Sequence, residues 1–446
     1  MTSVFSLPRL MFKAMPAVVA ISFAGSGFAQ EAVPSDLAPS TNPGLSQQEI
    51  EALQGPSTPP APTVSGEQLT ETPRRLNYGV SLTVRGVYDD NILLNSVNET
   101  DDFYFAIEPS IFIGFGGQED AAGASSLRFI YRPSIFLFLD QSEHDTVQHL
   151  IRLTGNHTFG RLTVSLSQDI QILDGADLNS LSDPTGHNAN IDVGQRTRHN
   201  IYTTTLSDSY VLTGKLFLSN AIGLIIDQYP SNFIGSNNIF GNLFLNYTYS
   251  DKLTVGLGGT FGYNTVEQGS PDQTYEQANI RLNYAATGKI SLSTSAGVEF
   301  RQFDDSSFGS GVGTEINPVF DLSGTYKPFD GTSMSLVGSR RIQNSASQLG
   351  QDYTTTNFHF NITQRLLRRF NLGFAVGYEN SEYFSTVQGV TAQRTDDYFY
   401  VQPSIDATIM RWWTAGAYYL FRQNDSSLAF FGFDDTQFGL RTTVTF

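Results

Sequence analysis

The chain contains no cysteine, only two tryptophans, and no hydrophobic run long enough to cross a membrane as a helix. The first absence excludes a disulfide framework and thiolate chemistry. The last excludes an α-helical bundle of the inner membrane. Basic residues are scarce as well: 26 Lys and Arg stand against 43 Asp and Glu, for a net charge of −17 across 446 residues. Nucleic acid is a poor partner for such a polyanion. What abounds instead is aromatic and polar, with 34 Phe, 20 Tyr and 40 Gly in a chain that is 40% hydrophobic.

Residues 1–29 read as an export leader. Arg9 and Lys13 form a basic start, an apolar run from Ala14 to Ala24 is broken only by Pro16 and Ser22, and Gly27 and Ala29 flank Phe28 at a cleavage position. Residues 30–75 turn to Pro, Ser, Thr, Gln and Glu, with eight prolines between Pro34 and Pro73. Such a segment buries too little apolar surface to offset its ordering entropy, which predicts a disordered periplasmic lead-in. Ser46 to Glu49 has a capping-box pattern ahead of Ile50, predicting a transient helix there, with a small plug or docking peptide as the alternative.

From residue 76 to the end, the pattern has period two. Leu253, Val255, Leu257, Phe261 and Tyr263 alternate with Thr254, Gly256, Gly258, Gly262 and Asn264; Phe370, Leu372, Phe374, Val376 and Tyr378 alternate with Asn371, Gly373, Ala375, Gly377 and Glu379. The last stretch repeats it, with Phe438, Leu440, Thr442, Val444 and Phe446 on one face and Gly439, Arg441, Thr443 and Thr445 on the other. Eight short connections are expected, at 116–125, 160–161, 213–215, 250–252, 287–289, 327–331, 367–369 and 410–411. They alternate with nine longer polar loops at 89–101, 140–145, 175–195, 230–238, 267–272, 304–314, 343–352, 385–396 and 424–434. Short turns at one end and long loops at the other predict an all-β fold: a transmembrane antiparallel up-and-down barrel of 18 strands, with 16 as the fallback if the 116–125 or 175–195 connection is misread.

A cylinder of that width cannot be filled by side chains, so the polar face is expected to line the lumen and the apolar face to meet lipid. Tyr247, Tyr249, Trp412, Trp413 and Phe446 lie beside the short turns, as an interfacial girdle would. Pro109, Pro133, Pro318 and Pro403 fall within strands, where each removes a ladder donor and is expected to mark a bulge or kink.

These residues carry a resemblance. Tyr88 to Ile92 after the first strand, the segment Pro109-Ser110-Ile111, the hairpin around Gln364 to Arg369 and the terminal Phe446 resemble the β-barrel porin type 2 family of Gram-negative outer membranes. The resemblance spans 76–446 and implies a porin-like barrel in the cell outer membrane, in a family linked with envelope or exopolysaccharide export. It also implies partners: outer-membrane lipid and lipopolysaccharide, small hydrophilic solutes or polysaccharide, and the barrel-assembly machinery, for which Phe438, Leu440, Val444 and Phe446 resemble the terminal signal.

Signatures of catalysis or metal binding are sparse in the chain. His144, His149, His157, His187, His199 and His359 show no metal-ligand spacing, and there is no nucleophile elbow or phosphate-cradling loop. No catalysis and no cofactor are expected. The acid pairs Asp89/Asp90, Asp304/Asp305, Asp396/Asp397 and Asp434/Asp435 read as solvated loop anchors, with bridging by Ca²⁺ or Mg²⁺ as the alternative.

For transport, the face assignment points Arg85, Arg128, Arg132, Arg152, Arg281, Arg301, Arg422 and Arg441 into the lumen, opposite Glu299, Glu379, Asp321 and Asp406. Such a wall would either guide anionic solutes or form an ion-pair network that only stiffens the barrel. If it guides anions, replacing Arg301 and Arg422 with Ser shifts selectivity. The function expected is a passive channel for small hydrophilic or anionic solutes, saccharides among them. The alternative is a non-conducting accessory barrel serving envelope assembly, recognisable by an inward-folded loop or plugged interior. A barrel enzyme would instead need Ser, His and Asp converging on the rim.

Overall fold

The computed structural model describes residues 76–116, 125–175, 190–230, 232–307, 309–392 and 394–446. The expected leader, the proline-rich segment, His187 and most of the 116–125 and 175–195 connections lie outside the described residues.

Eighteen strands follow one another: β1 (Leu76–Asp89), β2 (Asp102–Gly116), β3 (Ser126–Phe138), β4 (Thr146–Phe159), β5 (Leu162–Gly175) and β6 (Thr197–Val211). Then come β7 (Leu216–Gln228), β8 (Ser236–Ser250), β9 (Leu253–Val266), β10 (Gln273–Thr287), β11 (Ile290–Phe303) and β12 (Thr314–Tyr326). The last six are β13 (Thr332–Asn344), β14 (Gln351–Leu366), β15 (Phe370–Ser385), β16 (Thr395–Met410), β17 (Trp413–Ser426) and β18 (Phe433–Thr445). Each pairs antiparallel with its sequence neighbours, and β1 pairs with β18 from Ser81↔Thr445 to Asp89↔Gln437. The sheet is therefore a closed barrel of eighteen strands with no free edge.

Alternation along the strands explains the two faces. Leu257, Ile280, Ile316 and Leu440 on the outer face are each at least 60% exposed, and their neighbours on the same parity are apolar all round the wall. A continuous apolar belt of this kind has no stable solution in water, whereas lipid solvates it, and closure satisfies the backbone within the hydrocarbon. The barrel is an outer-membrane one. Tyr247, Tyr249, Trp412 and Phe446 are exposed beside the short turns, and Trp413 donates its indole N–H to Thr442 at 2.7 Å. Phe438, Leu440 and Val444 share the outer face, and the Phe446 amide closes onto the Val80 carbonyl at 2.8 Å.

The strand prolines interrupt rungs without shifting the register. No bulge occurs at any of them. Pro109 and Pro133 face each other where the β2–β3 ladder lapses between Ile107↔Ile135 and Ile111↔Tyr131, and the register is the same on both sides of the lapse. The β16–β17 ladder likewise lapses at Pro403, between Val401↔Phe421 and Ser404↔Tyr418. A missing N–H costs rungs on one side only, so the strand need not gain a residue. The register shifts that do occur, at Thr248/Ser250, Ala285/Thr287 and Thr408/Met410, adjoin short turns, where they relieve tight reversals.

The lumen also departs from expectation. Toward the long-loop end, Val87, Tyr104, Phe136, Tyr398, Tyr400, Tyr418, Leu420 and Phe433 point inward and are buried, packed with Ile92, Leu94 and Ile191 from loops. An apolar core fills a space assigned to water. Inward aromatics are stable there because loop residues cover them. Glycines on adjoining strands make room: the Tyr400 ring lies where a Cβ on Gly377 would stand, and the Tyr418 ring does the same at Gly439.

Candidate functional site: the closed mouth and the arginine wall

Residues 190–194, between β5 and β6, turn tightly into the barrel mouth. The amides of Val193 and Gly194 return to the Asn190 carbonyl at 3.1 and 2.9 Å, and Gly194 takes φ +63° with the Phe431 ring where a side chain would project. The turn presents Asp192 to the far side. Its carboxylate accepts bonds from the Ser345 hydroxyl (2.7 Å), the Ala346 amide (2.5 Å), the Ser347 hydroxyl (3.2 Å) and the Tyr383 hydroxyl (2.9 Å). Those groups belong to the β13–β14 loop and to β15, about half-way round the barrel from β5 and β6. The segment thus meets loops rooted in the opposite part of the wall.

Arg394 secures it. This buried guanidinium donates to the carbonyls of Ile191 (2.6 Å) and Asp192 (2.8 Å), pairs with Asp396 at 2.7 Å, and stacks on Phe431 at 3.4 Å from the ring centre. Val193 packs with Phe233 and Ala346, the Ile234 amide bonds the Ala346 carbonyl at 2.8 Å, and Asn190 donates to the Tyr229 hydroxyl at 2.9 Å. Burial raises the Tyr229 phenol well above its ordinary pKa and lowers that of the Arg196 guanidinium.

A second element narrows the lumen. The β12–β13 ladder has only seven rungs, Phe320↔Arg340 to Tyr326↔Met334, and above them the two strands part beside Pro318. The far ends of β13 to β15 then lean inside the wall. Asn344 accepts from Asn264 of β9 at 3.2 Å, Asp352 accepts from Gln273 of β10 at 3.1 Å and stands 3.7 Å from Arg301 of β11, and Phe384 meets Phe303 of β11 edge-on at 6.2 Å. Contacts that skip β12 require the hairpin tip to pass behind it. A cleft of about 350 Å³ opens beside the 190–194 segment, lined by Glu143, His144, Asp145, Asp174 and Arg196.

All twelve charged residues expected in the lumen lie on the inner face, but most are neutralised. Arg85 pairs with Glu108 (2.7 Å) and donates to the Tyr418 hydroxyl (3.0 Å); Arg152 pairs with Asp169 (2.6 Å), Arg301 with Glu299 (2.7 Å) and Arg441 with Asp406 (2.5 Å). Arg422 pairs with Asp435, Arg341 reaches Asp321 at 3.6 Å, Arg132 donates to Ser110, and Glu379 accepts from Ser381. Arg281 and Arg128 have no acid at ion-pair distance among the described residues. Arg281 is buried with neutral partners, Asn246 (2.8 Å) and Ser219, over the Phe244 ring. Arg128 lies over Phe112, with its Nε unpartnered.

The described histidines do not converge. His149 stacks on Tyr131 and His157 meets Ser125, both outside; His199 pairs with Asp227 at 3.0 Å, and His359 faces Tyr400. Asp192, Arg394 and Tyr383 were not expected as functional. The available signal was Ile191 and Val193, apolar residues flanking Asp192 near the end of the 175–195 loop.

No protein-family model matches the sequence, and no match was found among curated proteins. Among solved structures, the barrel is similar to OccAB3 of Acinetobacter baumannii (11% identity, 83% of this chain and 100% of the other, TM-score 0.43). It is also similar to OccAB4 of the same organism (10%, 84% and 99%, 0.42) and to OccK3 (OpdO) of Pseudomonas aeruginosa (11%, 83% and 96%, 0.41).

Proposed function

We propose that this barrel is a porin-like channel that passes small hydrophilic anions, acidic saccharides among them, and that its mouth is closed at rest by its own segments. The observation that carries the reading is the pair of inner-face cations, Arg128 and Arg281, without acid partners. A buried guanidinium held only by neutral groups retains a field that an anion can neutralise. The paired arginines contribute wall rigidity instead, since each is cancelled within its own neighbourhood.

Planar-bilayer recording in a salt gradient tests this. Open events are expected to favour anions, and Arg128→Ser with Arg281→Ser is expected to move the reversal potential toward cation preference. An unchanged potential in that double variant would refute the anion path.

A second reading, a non-conducting accessory barrel that serves envelope or polysaccharide assembly, draws on the same closed mouth. The 190–194 segment and the β13–β14 tip occupy space that a solute needs. A folded barrel that stays silent even after the Asp192 contacts are removed would select it.

A further inference from the structure

We propose that Asp89, Asp90 and Asp435 hold a calcium ion that clips the first strand of the barrel to the last. Asp89 and Asp90 are adjacent and Asp435 lies far along the chain; their carboxylates meet where the closing β1–β18 ladder ends, at Asp89↔Gln437. One oxygen from each lies within 4.8 Å of the others. Ligands at about 2.3–2.6 Å from a shared Ca²⁺ stand up to about 5 Å apart, so these oxygens are close enough to share one ion, and a site of carboxylates suits the flexible coordination of Ca²⁺ better than the near-ideal octahedron that Mg²⁺ demands.

The hydrogen bonds around the cluster leave a place for the cation. Asp89 accepts from the Asn91 amide (2.9 Å) and from Gln437 (3.0 Å); Asp90 accepts from the Thr436 amide (2.6 Å); one oxygen of Asp435 accepts from Arg422 and from Gln437 (3.3 Å). The other oxygen of Asp435 has no donor, although the residue is fully buried. An orphaned carboxylate oxygen beside a second buried carboxylate is costly unless a cation or proton sits against it. The donor amides fix the oxygens without consuming that one. Tyr104, on β2 opposite Val87, is also fully buried, with a hydroxyl that has no partner.

The position gives the ion a task. Asp90 also bonds through its backbone to the Thr436 carbonyl (3.2 Å), and Asn91 reaches the carbonyls of Asn95 and Asp434 (2.9 and 2.8 Å). A bound ion would fix the start of the β1–β2 loop, whose Ile92 and Leu94 enter the lumen core.

The test uses the full-length protein purified in detergent, stripped with chelator and titrated calorimetrically with CaCl₂ and, separately, MgCl₂. One Ca²⁺ per barrel is expected, in the range of about 10⁻⁴–10⁻³ M typical of extracellular modules, with Mg²⁺ weaker. Asp90→Asn, at the least buried ligand, is expected to keep the folded gel mobility and weaken Ca²⁺ at least tenfold. Asp435→Asn is expected to abolish binding. Saturable Ca²⁺ binding that survives both substitutions overturns the assignment, as does Mg²⁺ binding of equal strength. A wild-type barrel that binds no Ca²⁺ but gains heat resistance on acidification would assign the orphan oxygen to a proton shared with Asp89, and would overturn it too.

Discussion

Replacing Asp192 with Ala should open the mouth without dismantling the wall. The carboxylate is buried and accepts one amide and three hydroxyl bonds from the β13–β14 loop and β15, with Arg394 3.8 Å away. Removing one member of such a buried charged network costs about 3–5 kcal/mol, because the donors left behind are desolvated and unpaired. No β-ladder rung involves residue 192, so that loss falls on the closed arrangement of the segment and not on the barrel. At about 1.4 kcal/mol per tenfold, the closed-to-open ratio should fall by roughly two to four orders of magnitude. Planar-bilayer recording reads this directly: rare or brief openings in the wild type should become long-lived ones in the variant. Heat-modifiable gel mobility provides the control for folding. A variant that folds normally and opens no more often than wild type would refute the closure argument.

Arg85→Ala leaves Glu108 buried without its cation and should lower stability by about 3–5 kcal/mol, read as a lower unfolding temperature on heat-modifiable gels. Gly439→Val forces the Tyr418 ring from its place and with it the bond to Arg85, so a loss of about 1–3 kcal/mol is expected in the same assay. Arg301→Ser combined with Glu299→Ser should leave ion selectivity nearly unchanged, because the pair removed is already neutral; a large selectivity shift would mean that the Arg301 charge acts on the permeating ion. Ile191→Asp places a charge in the apolar core at the mouth and should mimic Asp192→Ala in conductance.

The wall was legible in the sequence because period-two alternation is a local signal. Leu253 to Asn264 sorts its own side chains into two faces whatever the rest of the chain does, and the short turns mark each reversal. Strand number, the lipid face and the inward parity of the arginines follow from that. The partner of each arginine does not, with one exception: Glu299 and Arg301 are two residues apart on one strand and must share a face. Arg85 finds Glu108 only through the β1–β2 register. Strand prolines were visible too, yet whether each cost a bulge or only a few rungs depended on the neighbour it faced, as Pro109 and Pro133 show.

The sequence alone therefore determined the barrel and its two faces, since both arise from backbone geometry and residue polarity within each strand. Only closure of the sheet decided what fills it. Asp192 meets Tyr383 at a sequence separation of 191, and Asp89 meets Gln437 at one of 348. Contacts of that kind exist only once eighteen strands have curled round and β18 has joined β1, bringing loops that are remote along the chain into one mouth.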